Sequence, residues 1–240
     1  MSPPATVLHR FLRDGTGAVT VDYVVLAAAV TFVALLASDI LEGGMRSLAG
    51  TVDSELKGEA PGATTGLSYS DGFDNGAQGW AGAVSTDIAG IGHVLGPIGN
   101  TGGAPSVNRD FAIDPGADRA VFEFDLLSMD NLDGDTGTVF IDGAAVGSVT
   151  VSDGVPVFTA AGDLEARGII VRYGEVDRAT HLGGNAAHVD ARSTFLISVR
   201  NDPSNPRGTV NLGFGSDATA GADNEFFAID NLTATGLAGG

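Results

Sequence analysis

The sequence predicts a mainly β protein: one hydrophobic α-helix near the N-terminus, followed by an antiparallel two-sheet β-sandwich. Three observations carry this expectation. Thirty-six glycines and nine prolines in 240 residues favour many short strands joined by turns over long helices. Beyond residue 119, segments that alternate apolar and polar residues follow one another, separated by Asp-Gly or glycine-rich turns. No helical segment of comparable length interrupts them, and an apolar fraction of 43% is enough for one sizeable core.

The charge balance narrows the possible partners. Twelve basic and 30 acidic residues give a formal net charge of −18, which repels nucleic acid and anionic lipid headgroups and excludes DNA or RNA as a partner. Such a surface suits divalent cations, high-salt surroundings or simple colloidal solubility. The absence of cysteine removes disulfides, thiolate metal sites and cysteine nucleophiles together.

Residues 1–17 are polar and carry Arg10 and Arg13, and the stretch Ala18 to Ala37 that follows has Asp22 as its only formal charge. About twenty helical residues at roughly 1.5 Å each span a bilayer core, and the basic flank predicts a cytoplasmic N-terminus. An ionisable residue near the start of an apolar segment costs a few kcal/mol in lipid and so needs a reason. The arrangement Phe11-Leu12-Arg13-Asp14-Gly15-Thr16-Gly17, then Ala18-Val19-Thr20-Val21-Asp22-Tyr23 and an apolar run, resembles the N-terminus of Flp-type (type IVb) pilins.

The resemblance implies cleavage by a prepilin peptidase between Gly17 and Ala18, which places Asp22 and Tyr23 fifth and sixth in the mature chain. Glutamate is usual at the fifth position, so Asp22 keeps the charge on a shorter arm. It implies that this carboxylate pairs with the mature N-terminal amine during assembly with other pilin subunits. The precursor then sits in the inner membrane and the mature chain in an extracellular, cell-surface filament. Ile40, Leu41, Met45, Leu48, Val52 and Leu56 continue an apolar stripe to about residue 57, with Gly43-Gly44 permitting a kink. The alternative is an ordinary signal peptide cleaved near Ala37-Ser38, or an uncleaved signal anchor.

Gly58 to Ser68 has no apolar period and is rich in glycine, proline and threonine, which predicts a linker. A β-sandwich over residues 69–236 and a short tail at 237–240 complete the organisation. The predicted strands are Ala120–Leu126, Gly137–Asp142, Gly147–Val151, Ile169–Tyr173, Ser193–Val199, Thr209–Phe214 and Glu225–Thr235. Three stretches, Asp71–Trp80, Asp130–Gly143 and Asn224–Leu232, resemble jelly-roll modules of bacterial surface proteins, many of them carbohydrate-binding.

Calcium is the expected cofactor. It takes six to eight oxygens at about 2.3–2.6 Å, and Asp71, Asp74, Asp133, Asp135 and Asp230 offer carboxylates from the opening segment, a central loop and the last strand. The Asp133-Gly134-Asp135 loop lacks the bidentate glutamate of an EF-hand, and a solvated acidic turn is the competing reading. His9, His93, His181 and His188 show no tight ligand spacing, so zinc is not expected. Glu123 and Asp125 share one strand face, as paired carboxylates of a glycosidase would, but Leu127 and Ser128 stand where a further acid is needed, and no catalysis is expected.

Trp80 is the candidate sugar-stacking residue, with core packing as the competing reading; Tyr69 and Tyr173 are the other polar aromatics of this region. The leading functional expectation is a pilin-like surface subunit that displays an acidic sandwich for structural or adhesive roles. The alternative is a secreted glycan-binding module or glycosidase.

Overall fold

A computed structural model describes residues 66–102, 104–130, 132–219 and 225–239. Within these the protein is a sandwich of two antiparallel sheets. The predicted helix, the Gly17-Ala18 junction, Asp22 and Tyr23 lie outside the described residues, among which no helix is long and apolar enough to cross a membrane.

Twelve strands follow in chain order: β1 (Leu67–Asp71), β2 (Ser85–Ile88), β3 (Gly92–Leu95), β4 (Val107–Ala112), β5 (Arg119–Met129), β6 (Asp133–Ile141), β7 (Ala144–Ser152), β8 (Val155–Ala160), β9 (Ile169–Thr180), β10 (Asp190–Arg200), β11 (Thr209–Ser216) and β12 (Phe226–Leu237). One sheet runs β2-β3-β12-β5-β10-β9, with β1 also paired to β12; the other runs β4-β11-β6-β7-β8. β1 starts inside the expected linker, and β12 ends one residue beyond the expected boundary at 236. All seven predicted strands are present. β1 to β4 and β8 are additional.

The β5 sequence shows why these residues make a sandwich. Its alternation sends Ala120, Phe122, Phe124 and Leu126 into the core, where the relative exposure of each is 1% or less, and leaves Arg119, Val121, Glu123 and Asp125 on the opposite face. β10 repeats the pattern with Phe195, Ile197 and Val199 inward. These meet Val139, Ile141, Val149, Leu212 and Phe214 of the second sheet in one buried cluster. Each fully buried side chain of this size contributes about 1.5–3 kcal/mol before the entropy of ordering it is counted.

Tight hairpins fix the register of the second sheet. Asp142-Gly143 joins β6 to β7 and Asp153-Gly154 joins β7 to β8, and all four residues have positive φ, as two-residue turns matched to strand twist require. On the outer face of the first sheet, Ile88, Val94, Leu127, Met129, Phe226 and Ala228 form a second, smaller cluster capped by Ile91 and Leu182. That cap closes one end of the outer face and leaves the other end open.

Candidate functional site

The open end of that face holds a cleft of about 440 Å³. Its floor comes from neighbouring strands. Arg119 on β5 stands opposite Arg200 on β10, Val121 opposite Ser198, and Ser198 in turn opposite Ile170 on β9. Ile170 is 57% exposed, which makes it an apolar platform surrounded by polar groups. Asp118, Glu165 and Asp202 supply carboxylates around the rim.

The surrounding turns are pinned. Buried Asn201 donates through its side-chain amide to the Asp114 and Ala117 carbonyls at 3.2 and 2.6 Å, and its carbonyl accepts the Arg207 N–H at 2.8 Å. Arg167 anchors the turn before β9 to the β6–β7 hairpin by donating to the Ile141, Ala144 and Ala145 carbonyls. Gly168, at φ +68°, has no side chain to obstruct the Arg200 stem, whose Cβ lies 3.1 Å from where a Cβ on Gly168 would be.

Most of the described arginines have a partner within the fold. Arg167, Arg178, Arg192 and Arg207 are paired with Asp163, Glu175, Asp177 and Asp142. Arg109 donates to Tyr69 and the Gln78 carbonyl. Among the described residues, Arg119, Arg172 and Arg200 have no carboxylate within 4 Å, and of these Arg119 and Arg200 line the cleft; the Ser204 hydrogen bonds, then the Arg200 charge, hold the Asp202 carboxyl below its ordinary range. Like charges directly opposite on a sheet are unfavourable. The cleft therefore presents two guanidinium groups and the carboxylates of Asp118 and Glu165 without an ion-pair partner among the described residues, while the Asp202 carboxylate accepts from Ser204. No aromatic residue lines it.

Further along the same face, Glu123 and Asp125 point outward as their spacing requires, and Asp125 sits opposite Asp230 of β12. Asp125 accepts bonds from the Thr194 hydroxyl at 2.5 Å and the Asn231 amide at 3.0 Å. Burial, then the charges of Asp125 and Asp74, push the Asp230 carboxyl above its ordinary value, while the Asn231 N–H pulls the other way.

The five carboxylates expected to share calcium separate into two places. Asp71 accepts the Tyr69 hydroxyl and the Phe73 N–H, Asp74 is exposed beside it, and Asp230 faces Asp125. Burial and the bond to Asp71 push the Tyr69 hydroxyl up to about 12, so it stays neutral over the ordinary pH range. Asp133 and Asp135, at the start of β6, meet Glu225 instead, with one carboxylate oxygen from each within 4.8 Å of the others. The physical reason is the last strand: Glu225 directly precedes β12 and Asp230 lies further along it, near different loops. Three carboxylates can supply up to six oxygens, in keeping with calcium's preference. Burial and the two aspartates raise the Glu225 carboxyl.

Trp80 is not a platform. It is 8% exposed and packs against Phe214 at 5.8 Å and edge-on to Phe73 and Phe111. Tyr173 stacks on Phe158 at 4.7 Å and is likewise a core-margin residue. The apolar surface the cleft does offer is Ile170. Its exposure was legible only as part of an alternating strand, whereas the Arg119–Arg200 juxtaposition depends on a register that no local pattern gives.

No protein-family model matches the chain, and no curated protein matches it. Among solved structures, the chain is similar to the CBM2 module of the Lactobacillus casei BL23 phage J-1 evolved Dit, at 12% identity over 72% of this chain and 96% of that one, with a TM-score of 0.35. It is also similar to CBM35 from Cellvibrio japonicus Abf62, at 13% identity over 72% of this chain and 100% of that one, with a TM-score of 0.31. A Paenibacillus sp. cycloisomaltooligosaccharide glucanotransferase complexed with cycloisomaltoheptaose matches at 11% identity over 64% of this chain and 18% of that one, TM-score 0.24. At these values no site residue is transferred from any of them.

Proposed function

We propose that the β-sandwich is a saccharide-recognition module without catalytic activity, and that its binding surface is the cleft over β5, β9 and β10. The observation that carries this is the pairing of unsatisfied guanidinium and carboxylate groups around an exposed aliphatic floor. A sugar offers vicinal hydroxyls, each both donor and acceptor, and an apolar C–H face. Arg119 and Arg200 donate to ring or hydroxyl oxygens, Asp118 and Glu165 accept from hydroxyls, and Ile170 meets the C–H face. Asp125 is held by Thr194 and Asn231 and lies outside the cleft, which favours recognition over hydrolysis.

A neutral and acidic glycan array probed with the full chain tests the reading. Arg200→Ala and Arg119→Ala should each weaken the best hit about tenfold or more, as loss of a charged hydrogen bond of about 1.5–3 kcal/mol requires. Unfolding midpoints should not fall, since each substitution relieves the repulsion between directly opposed like charges, and no reducing ends should be released. Binding that survives both substitutions would move the site elsewhere.

A second reading concerns display. The Gly17-Ala18 junction with Asp22 and Tyr23 in pilin register supports a pilin-like subunit that carries the module on a cell-surface filament. Mass spectrometry of the protein from its native host tests it: a mature chain beginning at Ala18 supports the reading, and one beginning near Ser38 rejects it.

A further inference from the structure

The arginines without a partner share one face of the sandwich. Among the described residues, Arg109, Arg167, Arg178, Arg192 and Arg207 are bound within the fold, and Arg119, Arg172 and Arg200 are not. All three stand on the outer face of β5, β10 and β9. Arg119 and Arg200 belong to the cleft. Arg172 lies beyond it, exposed on β9 and directly opposite Leu196 of β10.

The register makes this a second site beside the first. β10 alternates, so that Phe195 and Ile197 enter the core while Leu196 and Ser198 take the other face. Ser198 lines the cleft, and Leu196 is two residues from it, a step of about 7 Å along the strand. Leu196 is half-buried and belongs to neither hydrophobic cluster. Its neighbours across the sheet are Arg172 on one side and Glu123 of β5 on the other, so the two charges flank it about 10 Å apart in the backbone. Neither charge has a hydrogen-bond or ion-pair partner among the described residues. This row repeats the composition of the cleft: an aliphatic centre between a guanidinium and a carboxylate.

The run then ends. Asp125 is held by Thr194 and Asn231, and beyond it Arg192 and Asp177 close on each other at 2.7 Å. From Arg119 to Asp125 the face is about 20 Å long, room for about four linked hexose rings laid end to end. The free charges along it balance, with Arg119, Arg172 and Arg200 set against Asp118, Glu123 and Glu165. A charged polymer meets as much repulsion as attraction there, whereas a chain of hydroxyls uses donors and acceptors alike.

We propose that Arg172, Leu196 and Glu123 form a second saccharide subsite continuous with the cleft, and that the ligand is an extended, uncharged oligosaccharide held along its length. This rests on the saccharide reading of the cleft. Arg172 donates to, and Glu123 accepts from, hydroxyls at the two edges of a ring whose C–H face lies on Leu196.

Calorimetric titration of the full chain with cello-, xylo- and mannooligosaccharides of two and of six units, and with six-unit oligogalacturonate, tests the inference. The best neutral six-unit chain should bind about tenfold or more tighter than its two-unit form, and tighter than the galacturonate. Arg172→Ala should shrink that six-to-two ratio about tenfold at an unchanged melting midpoint, and Glu123→Gln should shrink it in the same direction. Arg200→Ala should weaken both lengths alike. The inference is overturned, with the cleft reading left standing, if two and six units bind equally, if Arg172→Ala leaves the ratio as it was, or if the galacturonate binds best. If no saccharide of either length binds, both readings fall.

Discussion

Replacing Trp80 with alanine discriminates most directly between a core tryptophan and a sugar platform. The ring is 8% exposed, stacks on Phe214 at an interplanar angle of 29°, and meets Phe73 and Phe111 edge-on at 6.3 and 6.2 Å. Truncating a buried aromatic to alanine costs about 3–5 kcal/mol. Three ring partners, each contributing about 0.5–1.5 kcal/mol beyond area burial, place Trp80 at the upper end, about 4–5 kcal/mol. For a domain of this size that lowers the melting midpoint by roughly 8–20 °C. Urea unfolding followed by far-ultraviolet circular dichroism measures the loss without relying on tryptophan fluorescence, and Trp80→Phe should lose less than half as much. A Trp80→Ala chain as stable as the parent, yet unable to bind saccharide, would refute the core assignment.

The remaining predictions concern the charged groups. Calcium should stabilise the fold through Asp133, Asp135 and Glu225, by about 2.7 kcal/mol at a hundredfold excess over its dissociation constant, and Glu225→Gln should remove most of that gain in a calcium titration followed by calorimetry. Asp190→Ala should cost about 3 kcal/mol or more in urea unfolding, because it strands the Asp130 and Leu182 N–H groups in a buried site. Asp230 has a raised carboxyl in the folded state. The stability it contributes is therefore present below the ordinary aspartate range and declines as pH rises through its folded value. Asp230→Asn should be more stable than the parent at pH 7 and lose that advantage near pH 3, as thermal melts across the range would show.

The strands most legible in the sequence are those whose alternation is cleanest. Phe122-Glu123-Phe124-Asp125-Leu126 and Phe195-Leu196-Ile197-Ser198-Val199 place every second residue in the core, and both appear as central strands. Those that escaped notice are short or carry weak contrast. β2 reads Ser-Thr-Asp-Ile, β4 interposes Asn108, Arg109 and Asp110 between Val107 and Phe111, and β8 contains Pro156, which its edge position tolerates. The Glu123–Asp125 face was legible for the same period-two reason. The partner of Asp133 and Asp135 was not, because Glu225 is ninety residues further on than Asp135 and arrives through the start of a different strand.

By itself the sequence determined the chemistry available: an acidic, cysteine-free β-sandwich with glycine turns, and an N-terminal apolar stretch from Ala18 to Ala37 with Asp22 as its only formal charge. Alternation and turn residues act over a few positions, so they fix which face each side chain takes. Only the tertiary structure decided which faces meet. The antiparallel register sets Arg119 against Arg200, the loop before Asp190 carries His188 to Asp130, and two sheets closing on one another bury Trp80. Those juxtapositions join residues 50 to more than 130 positions apart, where the stabilisation comes from packing the whole core and no local signal reports it.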